Sequence, residues 1–294
     1  MRIIPSCEKC LFDRQVSIAQ TISDVEARER YLAEIRELLK NRKEEDCAPY
    51  MVYCFKEVQK KYMKTMDIFP DIKHQYNSLL LSMENEIEAK IEASAEPLET
   101  AIIYARIGNY IDFGAMNHVE QSELLRLLEE ESQVRLDTTF YKAFCEECGG
   151  AKRFLLLSDN CGEIVLDKLF VRQLKKRFPQ LEVSIMVRGE PVLNDATMED
   201  AVFCGLDREA RLISNGNGVA GTVVELLSPQ AREALEEADV ILSKGQGNYE
   251  SLSGYEGVVY YSFLCKCEAF IKRFGVPRLT GMFVREDASE RQII

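Results

Sequence analysis

The chain has 294 residues, 49 acidic and 37 basic, giving a formal net charge of −12. That balance speaks against nucleic acid or an anionic membrane surface as partner, because both repel an acidic surface. No apolar run is long enough to cross a bilayer, and the 46% hydrophobic and 29% charged composition is that of a globular protein with room for two domains or one large α/β domain. A phosphate-binding site on such a chain needs a metal ion or a local cation. Met1-Arg-Ile-Ile-Pro5 lacks the apolar core of a signal peptide, and ten scattered cysteines fit reduced thiols in a cytoplasmic setting. Two histidines, His74 and His118, exclude a zinc site of several imidazoles, and no nucleophile elbow accompanies them.

The first half is expected to be helical. Cys7-Glu-Lys-Cys10 opens a charged, helix-forming stretch, and Asp24 to Leu39 keeps Val25, Tyr31, Leu32, Ile35, Leu38 and Leu39 at helical spacing. Pro49 can start the next helix, with Val52, Phe55 and Val58 on one face. Asp71 to Ala95 reads as a long helix, and Pro97 stands near the start of another. Gly108-Asn109-Tyr-Ile-Asp112 sets polar groups among apolar ones; on a helix Asn109 and Asp112 would share a face. Glu120 to Glu131 is a charged helix with a leucine stripe, and the double glycine after Cys145-Glu-Glu-Cys148 marks a boundary. Residues 1–150 are therefore expected to form a multihelical domain and residues 151–294 a second, α/β domain.

Beyond Lys152, strand-like runs alternate with helical ones: Phe154–Leu157, Glu182–Val187, Arg211–Ser214, Val240–Ser243 and Val258–Phe263. This alternation predicts a doubly wound, Rossmann-like parallel sheet, whose ligands bind beyond the C-terminal strand ends. The turns there are unusually polar. Ser158-Asp159-Asn160-Cys-Gly162-Glu163 follows the first strand, and Arg188-Gly-Glu-Pro-Val-Leu-Asn194-Asp195-Ala-Thr197 follows the second. Lys244-Gly245-Gln246-Gly247-Asn248-Tyr-Glu250-Ser251 follows the fourth. Asp159, Asn160 and Asp195 carry hard oxygen donors suited to Mg²⁺ or Mn²⁺. Glycines around a lysine at a helix entrance suit phosphate, although the spacing is not that of a Walker A loop. Each turn alone is also what an ordinary strand-to-helix connection with a capping Asp or Asn carries.

Taken together, these three turns and Gly108-Asn109-Tyr-Ile-Asp112 resemble the damage-control phosphatase family, also known as domain of unknown function 89. Cys7-x-x-Cys10 resembles the mark of its mainly prokaryotic branch. The resemblance implies a helical domain over a Rossmann-like one, and a divalent-metal-dependent phosphatase (Mn, Mg, Co or Ni) acting on small phosphorylated metabolites. Such metabolites include damaged sugar phosphates and phosphopantetheine-like compounds. It implies Asp159, Asn160 and Asp195 as metal ligands, Asp159 and Lys244 as catalytic groups, and Asn109, Asp112, Gly245, Gln246, Gly247 and Asn248 as substrate-binding residues. Position 161 departs from the pattern in being Cys, which reads as a small buried filler. Cys7 and Cys10 have the spacing of a second metal site or redox pair, with free thiols favoured. Two other readings compete: an S-adenosylmethionine-dependent methyltransferase, disfavoured by an acidic first turn with one glycine, and a non-enzymatic metal- or phosphometabolite-binding protein.

Overall fold

The computed structural model describes residues 1–63, 69–114, 119–130 and 134–286. His118, Glu131 and the final eight residues lie outside the described residues. The first half carries helices α1 (Pro5–Ala19), α2 (Val25–Lys40), α3 (Ala48–Tyr62), α4 (Phe69–Ala93), α5 (Pro97–Gly108), α6 (Gln121–Glu130) and α7 (Thr138–Gly150), with no strand among the described residues. Local chemistry sets their starts. Asp24 accepts from the N–H of Ala27 at the head of α2, Asp137 accepts from Thr139 and Phe140 at the head of α7, and Pro49 and Pro97 occupy first turns whose N–H groups need no partner.

The second half runs β1 (Arg153–Leu157), α8 (Glu163–Arg177), β2 (Glu182–Val187), α9 (Met198–Phe203), β3 (Arg211–Ser214), α10 (Pro229–Glu236), β4 (Val240–Lys244), α11 (Gln246–Leu252), β5 (Val259–Leu264), α12 (Glu268–Phe274) and β6 (Gly281–Arg285). The sheet order is β3-β2-β1-β4-β5-β6, parallel except for the β5–β6 pair. The doubly wound expectation holds, with five strands where the pattern placed them. The sixth, Gly281–Arg285, was not anticipated. It is a half-buried edge strand added antiparallel, so it lacks the dense apolar run of the central strands.

Both faces of the sheet are covered, which is why β1 reads as an unbroken apolar run. Phe154 and Leu156 pack with α5 and α8, while Leu155 and Leu157 pack with residues of α10, α11 and α12. The first of these clusters takes residues from both sides of position 150, since α5 lies directly on α8. Gly108 permits that contact: a Cβ there would stand 2.9 Å from the Glu163 Cα. Helices α1, α2 and α3 form a third cluster around Tyr31, Ile35 and Phe55. The sheet order reverses between β1 and β4, and the crevice outside those two strand ends is where this class of sheet binds ligands.

Candidate active site

Two loops meet in that crevice. The Ala196 N–H donates to the Asp159 carbonyl (2.8 Å) and the Cys161 N–H to the Asn194 carbonyl (2.8 Å), stitching the turn after β1 to the turn after β2. Asn160 and Asp195 pair as an isolated antiparallel bridge. Asp159, Asn160 and Asp195 are thereby brought together, 6%, 1% and 4% exposed. Between the two carboxylates lies Arg188, the residue directly after β2. Its Nε donates to Asp195 Oδ2 (2.7 Å), its second terminal nitrogen contacts Asp159 Oδ1 (3.4 Å), and its first is anchored to the Gly221 carbonyl (2.8 Å) and Asn248 Oδ1 (3.1 Å).

Beneath Asn160 is a second charged layer. The Asn160 and Asn109 amides both donate to Asp159 Oδ2 (2.7 and 2.9 Å) and to Glu163 Oε2 (3.0 and 3.1 Å). Glu163 Oε1 in turn accepts from Lys244 Nζ (2.7 Å), which also donates to Asp167 Oδ1 (2.6 Å) and the Ala105 carbonyl (3.0 Å). Lys244 is fully buried. It was expected to hold phosphate; instead its ammonium is spent on two carboxylates of α8, behind the crevice. The reason is that β4 runs one residue past the expected Ser243, so the pleat of a strand buried on both faces fixes Lys244 inward.

A second buried lysine, Lys266, which sequence reasoning passed over, pairs with the part-exposed Asp112 near Asn109. It stands just beyond β5, between Cys265 and Cys267, and its ammonium donates to the Asn109 carbonyl (2.6 Å) and to Asp112. Its position at the same sheet edge as the other polar turns was the available signal. Asn109 and Asp112 do not share a helix face as expected, because α5 ends at Gly108 and Asn109 is its C-cap. Both still reach the crevice through separate contacts. Asn109 is a clamp: besides its amide bonds, its Oδ1 accepts from the Leu264 N–H (3.2 Å). Asn248 is committed in the same way, donating to the Ser158 and Lys244 carbonyls (3.0 and 2.7 Å) and accepting from Arg188 and Thr222. These two hold the site's walls rather than offer free polar atoms to a ligand. Asn194 performs a similar service, linking the Ile111 carbonyl and the Phe113 N–H to the turn after β2.

The glycine turn has a steric purpose. Gly245 has φ +79°, and a Cβ on it would fall 1.9 Å from Asp159 Oδ2. Its N–H is taken by the Ser262 carbonyl (3.0 Å). A Cβ on Gly247 would stand 2.2 Å from the Ala220 carbonyl oxygen, so that glycine admits a neighbouring loop. Gln246 braces Lys266 by accepting from its backbone N–H (3.1 Å).

Burial and the neighbouring charges of Asp195, Glu163 and Asp112 push the Asp159 carboxyl well above the ordinary range, with Arg188 opposing. Burial lifts Asp195 to about 6 against the pull of Arg188, and lifts Asp167 to about 7 against that of Lys244. Among the described residues, the hydrogen-bonded network contains five carboxylates (Asp112, Asp159, Glu163, Asp167, Asp195) and three cations (Arg188, Lys244, Lys266). Its formal charge is therefore −2, an imbalance that burial makes costly unless protons or a divalent cation offset it.

That donor set is one of hard oxygens. Among the described residues no three His, Cys, Asp or Glu side chains gather as a ready cage. A metal here would need the Asn160 amide oxygen beside the two carboxylates, and the residues fit that: the amide nitrogen is already turned to Asp159 and Glu163, leaving its oxygen for a ligand. All ten cysteines are free thiols. Cys161 is buried, and burial raises its thiol far above the usual value, as suits a small filler. Cys7 is half-buried and Cys10 exposed; burial, then Glu250, raises the Cys7 thiol. His74 packs on Phe203, away from these groups.

The model of the damage-control phosphatase ARMT1-like domain matches residues 3–280. The chain belongs to the damage-control phosphatase family. A damage-control phosphatase of Archaeoglobus fulgidus is 31% identical over 286 residues, covering 94% of this chain and 96% of that protein. A second, from Pyrococcus horikoshii, is 29% identical, covering 95% of this chain and 96% of its own length. An uncharacterised Methanocaldococcus jannaschii protein is 29% identical, over 94% and 93% of the two chains. The crystal structure of a DUF89 family protein from P. horikoshii superposes with a TM-score of 0.81 at 26% identity, covering 98% of this chain and all of that one. The chain is thus a phosphatase, and the methyltransferase reading falls away. No helix among the described residues is long and apolar enough to cross a membrane.

Proposed function

We propose that this phosphatase is a divalent-metal-dependent phosphomonoester hydrolase of small phosphorylated metabolites. The observation that carries the reading is the pair of buried carboxylates, Asp159 and Asp195, meeting at the strand-order reversal within a network two positive charges short of neutral. Asp159, Asp195 and the Asn160 amide oxygen would hold the ion. When bound, a divalent cation supplies Lewis-acid polarisation of the phosphoryl group and offsets its negative charge.

The chain's own residues do the remaining work. Asn109 and Asn160 fix Asp159 Oδ2 with two hydrogen bonds, so the carboxylate presents Oδ1 to the crevice, with only the 3.4 Å contact to Arg188 against it. Arg188 holds Asp195 by a 2.7 Å bond and keeps the two acids facing one another. The Lys266 ammonium, buried against the part-exposed Asp112, would reach a phosphate oxygen only by exchanging its bond to Asp112. Glu163, Asp167 and Lys244 form the rigid floor under Asn160. The test is phosphate release from a generic aryl phosphate across Mn²⁺, Mg²⁺, Co²⁺ and Ni²⁺, with Asp159→Ala and Asp195→Ala as controls. Full activity in both variants, each shown to be folded, would refute the assignment.

A further inference from the structure

Arg188 poses a question that a bare metal-ligand set does not. A guanidinium, always charged, stands between the two carboxylates assigned to the ion. It is 3% exposed, and one of its terminal nitrogens is tied from behind to Gly221 and Asn248. Its charge is therefore a permanent part of the site.

Counting charges shows what it does. Among the described residues, the bonded network at and behind the crevice sets Asp112, Asp159, Glu163, Asp167 and Asp195 against Arg188, Lys244 and Lys266. Lys244 is consumed by Glu163 and Asp167, and Lys266 by Asp112. Among the described residues, Arg188 is the cation bonded to both Asp159 and Asp195; Lys73, itself paired with Asp200, acts on Asp195 only through space. Without it the network would stand three negative charges in excess, matched to a trivalent ion; with it the excess is two. In oxygen-ligand sites, ligand charge count is one of the levers that tunes affinity for a cation.

We infer that Arg188 is a specificity-determining residue: its guanidinium, wedged between Asp159 and Asp195, matches the crevice to divalent rather than trivalent cations. The inference rests on the metal-binding reading above and goes beyond it by assigning the charge selectivity to one side chain. A role confined to holding the loops together would weaken binding of every cation alike. A role in charge matching changes the ratio of affinities.

The experiment measures Mn²⁺ and Tb³⁺ binding to the purified, metal-stripped chain by calorimetry and by Tb³⁺ luminescence with Mn²⁺ competition. No turnover is read. Arg188→Gln should raise the Tb³⁺-to-Mn²⁺ affinity ratio at least tenfold over wild type, while Arg188→Lys, which keeps the charge, should leave it within about threefold. Asp112 supplies a reverse test at a part-exposed position, useful if Arg188→Gln does not fold: Asp112→Asn removes one negative charge and should lower the ratio. An unchanged ratio in Arg188→Gln overturns the inference. So does an unchanged ratio in Asp112→Asn where Arg188→Gln cannot be prepared folded. Failure of the wild-type chain to bind Mn²⁺ at all would instead sink the metal reading, and this inference with it.

Discussion

Gly245→Ala tests the site's geometry with a single methyl group. The added Cβ would lie 1.9 Å from Asp159 Oδ2 and 2.4 Å from its Cγ. That is about 1.4 Å short of a normal carbon–oxygen contact. Asp159 cannot simply rotate away, because its Oδ2 is fixed by Asn109 and Asn160 and its backbone carbonyl by Ala196. The carboxylate must therefore move by roughly an ångström, and a displacement of that size at a reacting group costs about 10²-fold in rate. The backbone is strained as well, since φ +79° with ψ 161° is glycine territory, worth about 1–3 kcal/mol. A chain of this size tolerates that and stays folded. Gly254→Ala is the matched control: φ is +90°, but nothing lies within 4 Å of the new methyl group. Metal-supported hydrolysis of an aryl phosphate, with thermal melts of both variants, reads the outcome. Gly245→Ala should lose at least about 10²-fold in kcat/KM, and Gly254→Ala should lose stability alone. Near-wild-type kcat/KM in Gly245→Ala, or an equal loss in both, would refute the reasoning.

Lys244→Met should act on folding, since it strands Glu163 and Asp167 as buried unpaired charges at about 3–5 kcal/mol; urea denaturation measures this, and an intact midpoint with a raised KM would return Lys244 to the substrate. Lys266→Ala should raise KM for a phosphoester about tenfold, as expected for loss of one charge-assisted hydrogen bond, and should also lower the urea midpoint because the side chain is buried; an unchanged kcat/KM in the folded variant removes it from the site. Asp195 at about 6 and Asp167 at about 7 keep protons in the folded, metal-free chain that unfolded carboxylates have released. The folded state then binds more protons than the unfolded state between about pH 4 and 7, so stability in EDTA falls as pH rises through that window and levels above it. Urea midpoints at pH 5, 6 and 7 check this, and a midpoint that climbs with pH in EDTA contradicts it. Added Mn²⁺ should stabilise progressively more across the same window, because the ion replaces those protons.

The sheet was legible because its central strands are dense apolar runs bounded by polar turns, and the meeting of Asp159, Asn160 and Asp195 followed from placing those turns at one sheet edge. The parts that escaped depend on non-local pairing. Lys244 looks like a loop residue in sequence, and only its pairing with Ser262 of β5 shows that it belongs to the strand. Its partners Glu163 and Asp167 stand four apart on α8, a spacing that marks one helix face without saying what that face meets. Arg188 was visible in its motif, but its place between two acids requires the Asn160–Asp195 bridge that folds one turn over the other. Asn109 and Asn248 were assigned to substrate through the resemblance, and in the structure every hydrogen-bonding side-chain atom they carry is spent on the protein.

The most direct test of the central claim is calorimetric titration of Mn²⁺ into metal-stripped wild type, Asp159→Ala and Asp195→Ala, paired with aryl phosphate turnover in the same samples. The account predicts one saturable site and Mn²⁺-dependent phosphate release in wild type, with both lost in each folded variant. Phosphate release that continues undiminished in EDTA, or in either variant, would contradict it.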